Sequence, residues 1–134
     1  MRFVQKSGTV NVETGGRSGT PILEMPNITQ GNTLRVTATF QTKTAGQADS
    51  GFSYTVQSTK GNTDAVPLST QESTVQGNAG WQTTIKIAFF EAKIETQTGV
   101  EDIDFEVVFS DGGLDGQGEI KDFLLTGEIV SLVN

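Results

Sequence analysis

Neither cysteine nor histidine occurs in the 134 residues. Without cysteine there is no disulfide and no thiolate metal site, and cysteine usage says nothing about the redox compartment. Without histidine the chain lacks the commonest general base and the commonest transition-metal ligand. Neither a Ser-His-Asp nor a Cys-His arrangement can be assembled from one chain. Tryptophan and tyrosine occur once each, beside eight phenylalanines. Basic residues are few: nine Lys and Arg against 16 Asp and Glu give a net charge of -7 and a pI of about 4.4. Such a surface repels a phosphate backbone and an anionic bilayer, which argues against nucleic acid and membrane as partners. No apolar run is long enough to span a bilayer. The opening MRFVQKSGTVNVE has no apolar signal core. The protein is therefore expected to stay where it is made, or to have lost a signal before this numbering begins.

What is present is a period of two. Leu34, Val36, Ala38 and Phe40 alternate with Arg35, Thr37, Thr39 and Gln41. Phe52, Tyr54 and Val56 alternate with Ser53, Thr55 and Gln57, and Ile103, Phe105, Val107 and Phe109 with Asp102, Asp104, Glu106 and Val108. Alternation of this kind marks half-buried strands. Ile85, Ile87 and Phe89 alternate with Thr84, Lys86 and Ala88 in the same way, which puts the isoleucines on one face. A strand pair is expected near Phe3, Val4, Val10 and Val12, and an edge strand at Ile22 to Met25 before Pro26. Val66 and Leu68, flanking a proline, read as a weak edge strand. Gln71 to Gly80 reads as loop, as does DGGLDGQG from Asp111 to Gly118. Glu119 to Thr126 and Glu128 to Val133 read as two strands separated by Gly127. Eight or nine short strands without a helix predict a single all-β domain, an antiparallel jelly-roll β-sandwich, with a mobile N-terminal segment over residues 1–21.

The segments ITQGNTLRVTATFQTKTAG (Ile28 to Gly46), GWQTTIKIAF (Gly80 to Phe89), IDFEVVF, DGGLDGQG and EIKDFLL follow one another in an order that resembles the family 4 and 9 carbohydrate-binding modules, which share the galactose-binding-like jelly roll. The resemblance covers roughly the last hundred residues. Where that family's closing strand often carries two aspartates, this chain has Lys121 and Asp122, so only Asp122 carries over. The resemblance implies sugar binding by an exposed aromatic platform with polar side chains on the hydroxyls.

Trp81 and Tyr54 are the aromatic candidates for that platform. The plainer reading makes Trp81 a lid on the core and Tyr54, in register with Phe52 and Val56, a core residue with its hydroxyl at the rim. Asp111, Asp115, Glu119 and Asp122 are the candidate ligands of a structural calcium, on a spacing that fits neither an EF-hand nor a glycine-rich nonapeptide repeat. Asp102, Asp104 and Glu106, two apart on a strand, sit about 7 Å from one another, which makes a solvated stripe rather than a cage. No carboxylate pair looks desolvated enough for glycosidase chemistry. No cofactor beyond that calcium is expected, and no enzymatic activity.

Two functions follow. The first is a non-catalytic structural protein acting through assembly, as a homo-oligomer or on a virion shell. In style the chain resembles small bacteriophage virion proteins such as capsid decoration, head-fibre or tail components. Its ends, to Pro21 and over EIVSLVN, are expected to add strands to a neighbour's sheet. The second is a carbohydrate-binding module for a polysaccharide or host glycan. The virion is the expected location under the first reading, and the cytoplasm or the cell exterior otherwise.

Overall fold

In the computed structural model the described residues are 2–7, 10–12 and 22–131. Their strands are β1 (Arg2–Ser7), β2 (Val10–Val12), β3 (Leu23–Thr29), β4 (Thr33–Lys43), β5 (Gly51–Ser58), β6 (Ala65–Pro67), β7 (Glu72–Gln76), β8 (Gln82–Ala92), β9 (Val100–Ser110) and β10 (Gly118–Ser131). One sheet has the order β1-β10-β4-β8-β6, with β2 also on β10, and the other β3-β9-β5-β7. From β3 onward each strand lies in the opposite sheet from the one before it, and all pairings are antiparallel. This is an all-β jelly-roll sandwich.

The core forms where the two inner faces meet. Leu34, Val36, Ala38 and Phe40 of β4 face Phe52, Tyr54 and Val56 of β5 and Ile103, Phe105 and Val107 of β9, and all are at most 2 % exposed. These strands follow the alternation in the sequence. Rings join the layers: Phe90 lies 4.8 Å from Phe105, and Phe40 meets Tyr54 edge-on at 5.2 Å.

β8 takes the opposite face from the one its isoleucines suggest. Residues paired across two strands share a face, and β8 pairs Phe40 with Thr84, Ala38 with Lys86, Val36 with Ala88 and Leu34 with Phe90. Because β4 buries its even positions, Thr84, Lys86, Ala88 and Phe90 are drawn inward. Ile85 and Ile87 are left 61 % and 48 % exposed. The inward apolar set of β8 is Ala88, Phe90 and Ala92.

Other expectations change as well. β1 and β2 do not pair with each other but lie end to end along β10, at residues 123–128 and 118–120. β7 runs through a stretch that reads as loop, burying only Val75. The two closing strands are one, because β10 passes straight through Gly127. A Cβ there would come within 2.8 Å of the ends of the Met25 and Leu23 side chains from the other sheet, which would have to shift to admit it. The expected arm at the C-terminus is, up to Ser131, paired with β4 of its own chain. The loop from Thr14 to Pro21 and the final Leu132–Asn134 lie outside the described residues, as do residues 1, 8–9 and 13 of the segment expected to be mobile.

Candidate functional site

The polar inward positions at the start of β8 create the site. Gln82, Thr84 and Lys86 point where a core residue would be needed to close the sandwich. β6 covers β8 only at residues 90–92. Its pairing ends where the Leu68 N–H donates to the Phe89 carbonyl at 2.8 Å and the Phe89 N–H donates to Ser69 Oγ at 2.9 Å. The chain then crosses to β7 in the other sheet. Among the described residues no strand lies outside β8 from Gln82 to Ala88. Lys86 Nζ donates to the Glu72 carbonyl at 3.4 Å. The sheets therefore part along the β7 and β8 edges around a cleft of about 340 Å³.

This cleft is lined by Thr42, Tyr54, Ser73, Thr74, Val75, Gln76, Asn78, Gln82, Thr83, Thr84 and Ile85, and the side chains of Tyr54, Ser73, Gln82 and Thr84 are on the inward faces of their strands. Among the described residues that line it none is acidic or basic, and the Lys86 ammonium lies beside it on the Glu72 carbonyl. Several walls are fixed by their own hydrogen bonds. The Thr42 and Thr84 hydroxyls lie 3.1 Å apart. The Asn78 side-chain amide donates to the Thr42 carbonyl at 3.2 Å, and its backbone N–H to Thr44 Oγ1 at 2.7 Å. Gln76 donates its amide to the Ala48 carbonyl. A small hollow holding preset hydroxyl and amide groups suits a neutral polyhydroxylated ligand, whose own hydroxyls both donate and accept.

Tyr54 takes part through its oxygen alone. It is 2 % exposed with its ring inside the core, so no face is open for stacking on a sugar. Burial pushes its pKa above the usual phenol value, partly offset by a hydrogen bond with Ser73, and the hydroxyl remains protonated at neutral pH. Trp81 is 37 % exposed. It precedes β8, and its ring lies toward the outer face of the larger sheet, with Lys121 Nζ 4.3 Å and Lys43 Nζ 5.8 Å from its centroid.

The carboxylates expected to hold calcium are dispersed. Asp111 caps its own turn, accepting the Gly113 N–H at 3.4 Å. Asp115 ties two segments together by accepting the N–H of Gly51 and of Gln117, both at 2.9 Å. Glu119 is exposed on β10 opposite Lys43, and Asp122 is exposed at the β10 bulge with φ 54°. Among the described residues no three acidic side chains are placed to hold a metal ion. A different acidic group does form, where Glu24 of β3 pairs in register with Asp104 beside Asp102. Desolvation, then repulsion from Glu24, Asp102 and Asp64, pushes the Asp104 pKa up, with Lys60 opposing. Asp102 accepts the Asn27 N–H at 3.0 Å. Crowded like charges of this kind offer a neutral ligand little.

Sequence reading found the two aromatics and missed the cleft. Its residues come from an unrecognised strand, β7, and from the polar face of β8. The signal was available in the even positions Gln82, Thr84 and Lys86, once these are paired against β4.

No family model matches this chain, and no curated protein matches it. Solved structures to which this chain is distantly similar include the C-terminal family 6 carbohydrate-binding module of the laminarinase LamC from Zobellia galactanivorans, at 14% identity and TM-score 0.44 over 93% of this chain and 88% of that one. Another is the family 6 module of lichenase 5A from Cellvibrio mixtus in complex with cellotriose, at 13% identity and TM-score 0.34 over 92% and 89%. A third is the CBM22-GH10 xylanase 10B of Clostridium thermocellum, at 13% identity and TM-score 0.35, where the match takes in 99% of this chain and 27% of that one. At such low similarity, the functional reading rests on the geometry of the cleft itself.

Proposed function

We propose that this protein is a non-catalytic carbohydrate-binding module that holds a neutral stretch of glycan in the cleft between β7 and β8. The observation that carries this reading is the lining: hydroxyl- and amide-bearing residues from both sheets, several of them held by hydrogen bonds, with no acidic or basic residue among the described ones. Among the described lining residues the titratable side chain is the buried Tyr54 phenol. Its raised pKa keeps it protonated at neutral pH, so it does not serve as a general base there. Binding is tested by affinity electrophoresis through gels containing neutral polysaccharides, with Gln82→Ala as the cleft variant. Gln82 is exposed and its removal should not disturb the fold. At least one polysaccharide should retard the wild type, and Gln82→Ala should travel closer to its free mobility. Equal retardation of both proteins, or none by any polysaccharide, would refute the assignment.

A second reading, assembly with other protein chains, is favoured by the outer face of β8. Ile85 and Ile87 stand side by side there, with Leu68, 53 % exposed, next to Phe89 at the strand's far end. Light scattering at several concentrations tests it: a discrete oligomer lost in Ile85→Thr/Ile87→Thr supports the reading, and a monomer throughout refutes it.

A further inference from the structure

Trp81 lies outside the cleft and is left without a role by it. Its surroundings are unusual for so acidic a chain. Two of the six basic residues numbered above 21 converge on one indole ring, Lys121 at 4.3 Å and Lys43 at 5.8 Å from its centroid. They come from β10 and β4, which are adjacent in the larger sheet, and Lys121 is in register with Gln41. Outward positions on β4 are the odd ones, so Lys43, Gln41 and Lys121 share the outer face. Among the described residues neither lysine is within ion-pair distance of a carboxylate. The nearest in sequence and register are Glu119, opposite Lys43, and Asp122, beside Lys121. By contrast Arg35 is paired with Glu128, and Lys93 with Glu95.

We infer that Trp81, Lys43 and Lys121 form a second carbohydrate contact, specific for an acidic sugar of the uronate type. The inference rests on the glycan-binding reading and extends it to the outer face. Resting on the ring, the ammonium groups are held by cation–π attraction. A carboxylate offers them charge-assisted hydrogen bonds, which are stronger than a cation–π contact at an exposed ring. An arriving uronate therefore draws the lysines off the indole and frees its face for the C–H side of the sugar. Net repulsion from the rest of the chain does not prevent this, because charges more than about 10 Å away are largely screened at 0.1 M salt. An acidic peptide could meet the lysines, but it has no flat C–H face for the ring, so the arrangement favours a saccharide.

The test is calorimetric titration with oligogalacturonate, with its carboxyl-reduced neutral counterpart and with poly-glutamate. The wild type should bind oligogalacturonate more tightly than the reduced form. Lys43→Gln/Lys121→Gln should weaken the former roughly tenfold, as expected for two exposed charge contacts, and leave the latter unchanged. Trp81→Ala should weaken both, with its melting temperature measured to confirm folding. Glu119→Gln should tighten oligogalacturonate. Equal affinity for charged and reduced sugars in the wild type, or for poly-glutamate and oligogalacturonate, would overturn the inference. If the charged and reduced sugars bind equally and Gln82→Ala abolishes the binding of both, the cleft assignment stands while this one falls. If no saccharide binds, both fall.

Discussion

The register of β8 decides whether the cleft exists, and a pair of substitutions measures it. Phe90 has no exposed surface and its ring lies 4.8 Å from Phe105 of the facing sheet. Its truncation in Phe90→Ala removes a full core side chain between two sheets, for which about 3–5 kcal/mol is usual. Ile87 is 48 % exposed. Complete burial of an isoleucine is worth about 1.5–3 kcal/mol, so its half-buried state is worth about 1 kcal/mol. Threonine keeps the branched shape that suits a strand. Ile87→Thr should therefore cost less than about 1 kcal/mol. For 134 residues each kcal/mol corresponds to about 4 °C, between the values usual for smaller and larger domains. The two variants should thus melt about 10 °C or more apart. Urea denaturation followed by circular dichroism gives the same difference as free energies. If Ile87→Thr proves as damaging as Phe90→Ala, the odd positions of β8 face inward. Gln82 and Thr84 then leave the cleft, and the proposed site is lost with them.

Three further outcomes follow from individual contacts. Gly51 has φ +139° and a Cβ there would come within 2.0 Å of the Val75 carbonyl oxygen, so Gly51→Ala should cost about 2 kcal/mol or more in thermal melts. Asp115→Ala leaves the N–H groups of Gly51 and Gln117 without their acceptor and should lower stability by about 1–2 kcal/mol, measured by denaturation with and without calcium; identical losses in both identify a structural rather than a metal role. Asp104 has its pKa raised in the folded state, so the fold binds its proton more tightly than the unfolded chain does, and the stability penalty is present at neutral pH and relieved as pH falls through the elevated value. Melting of Asp104→Asn across a pH series should match or exceed the wild type at pH 7, with the advantage shrinking on acidification; a variant less stable at pH 7 would contradict this.

How much of this was legible beforehand depended on how one-sided each strand is. β4 and β9 alternate cleanly because one face meets the core and the other is more open, and β5 does so from Tyr54 onward, although Ser53 on its outer face is also buried. Their inward residues are readable directly. β8 is not uniform. Its second half faces the core through Ala88, Phe90 and Ala92, while its first half faces a polar cleft, so its largest apolar residues lie on the wrong parity. Only pairing with β4 resolves it. β7 was hidden for a related reason: an edge strand beside the cleft needs a single buried residue, Val75, and that leaves no pattern. Gly127 looked like a break because a glycine in a strand usually is one, whereas here it clears space for Met25 and Leu23. Tyr54 and Trp81 were visible by residue type. Which of them is reachable depends on tertiary packing that their neighbours in sequence do not encode.

The most direct test of glycan binding in the cleft is a titration of the ¹⁵N-labelled protein with a neutral oligosaccharide that retards it in gels, followed by amide and side-chain NH chemical shifts. The side-chain amides of Gln76, Asn78 and Gln82 and the backbone of Ser73, Thr74 and Thr84 should move together along one saturating curve, while the acidic surface around Glu24 and Asp102 stays still. Saturable shifts that map away from the β7 and β8 edges, or no shifts at millimolar ligand, would contradict the assignment of the cleft.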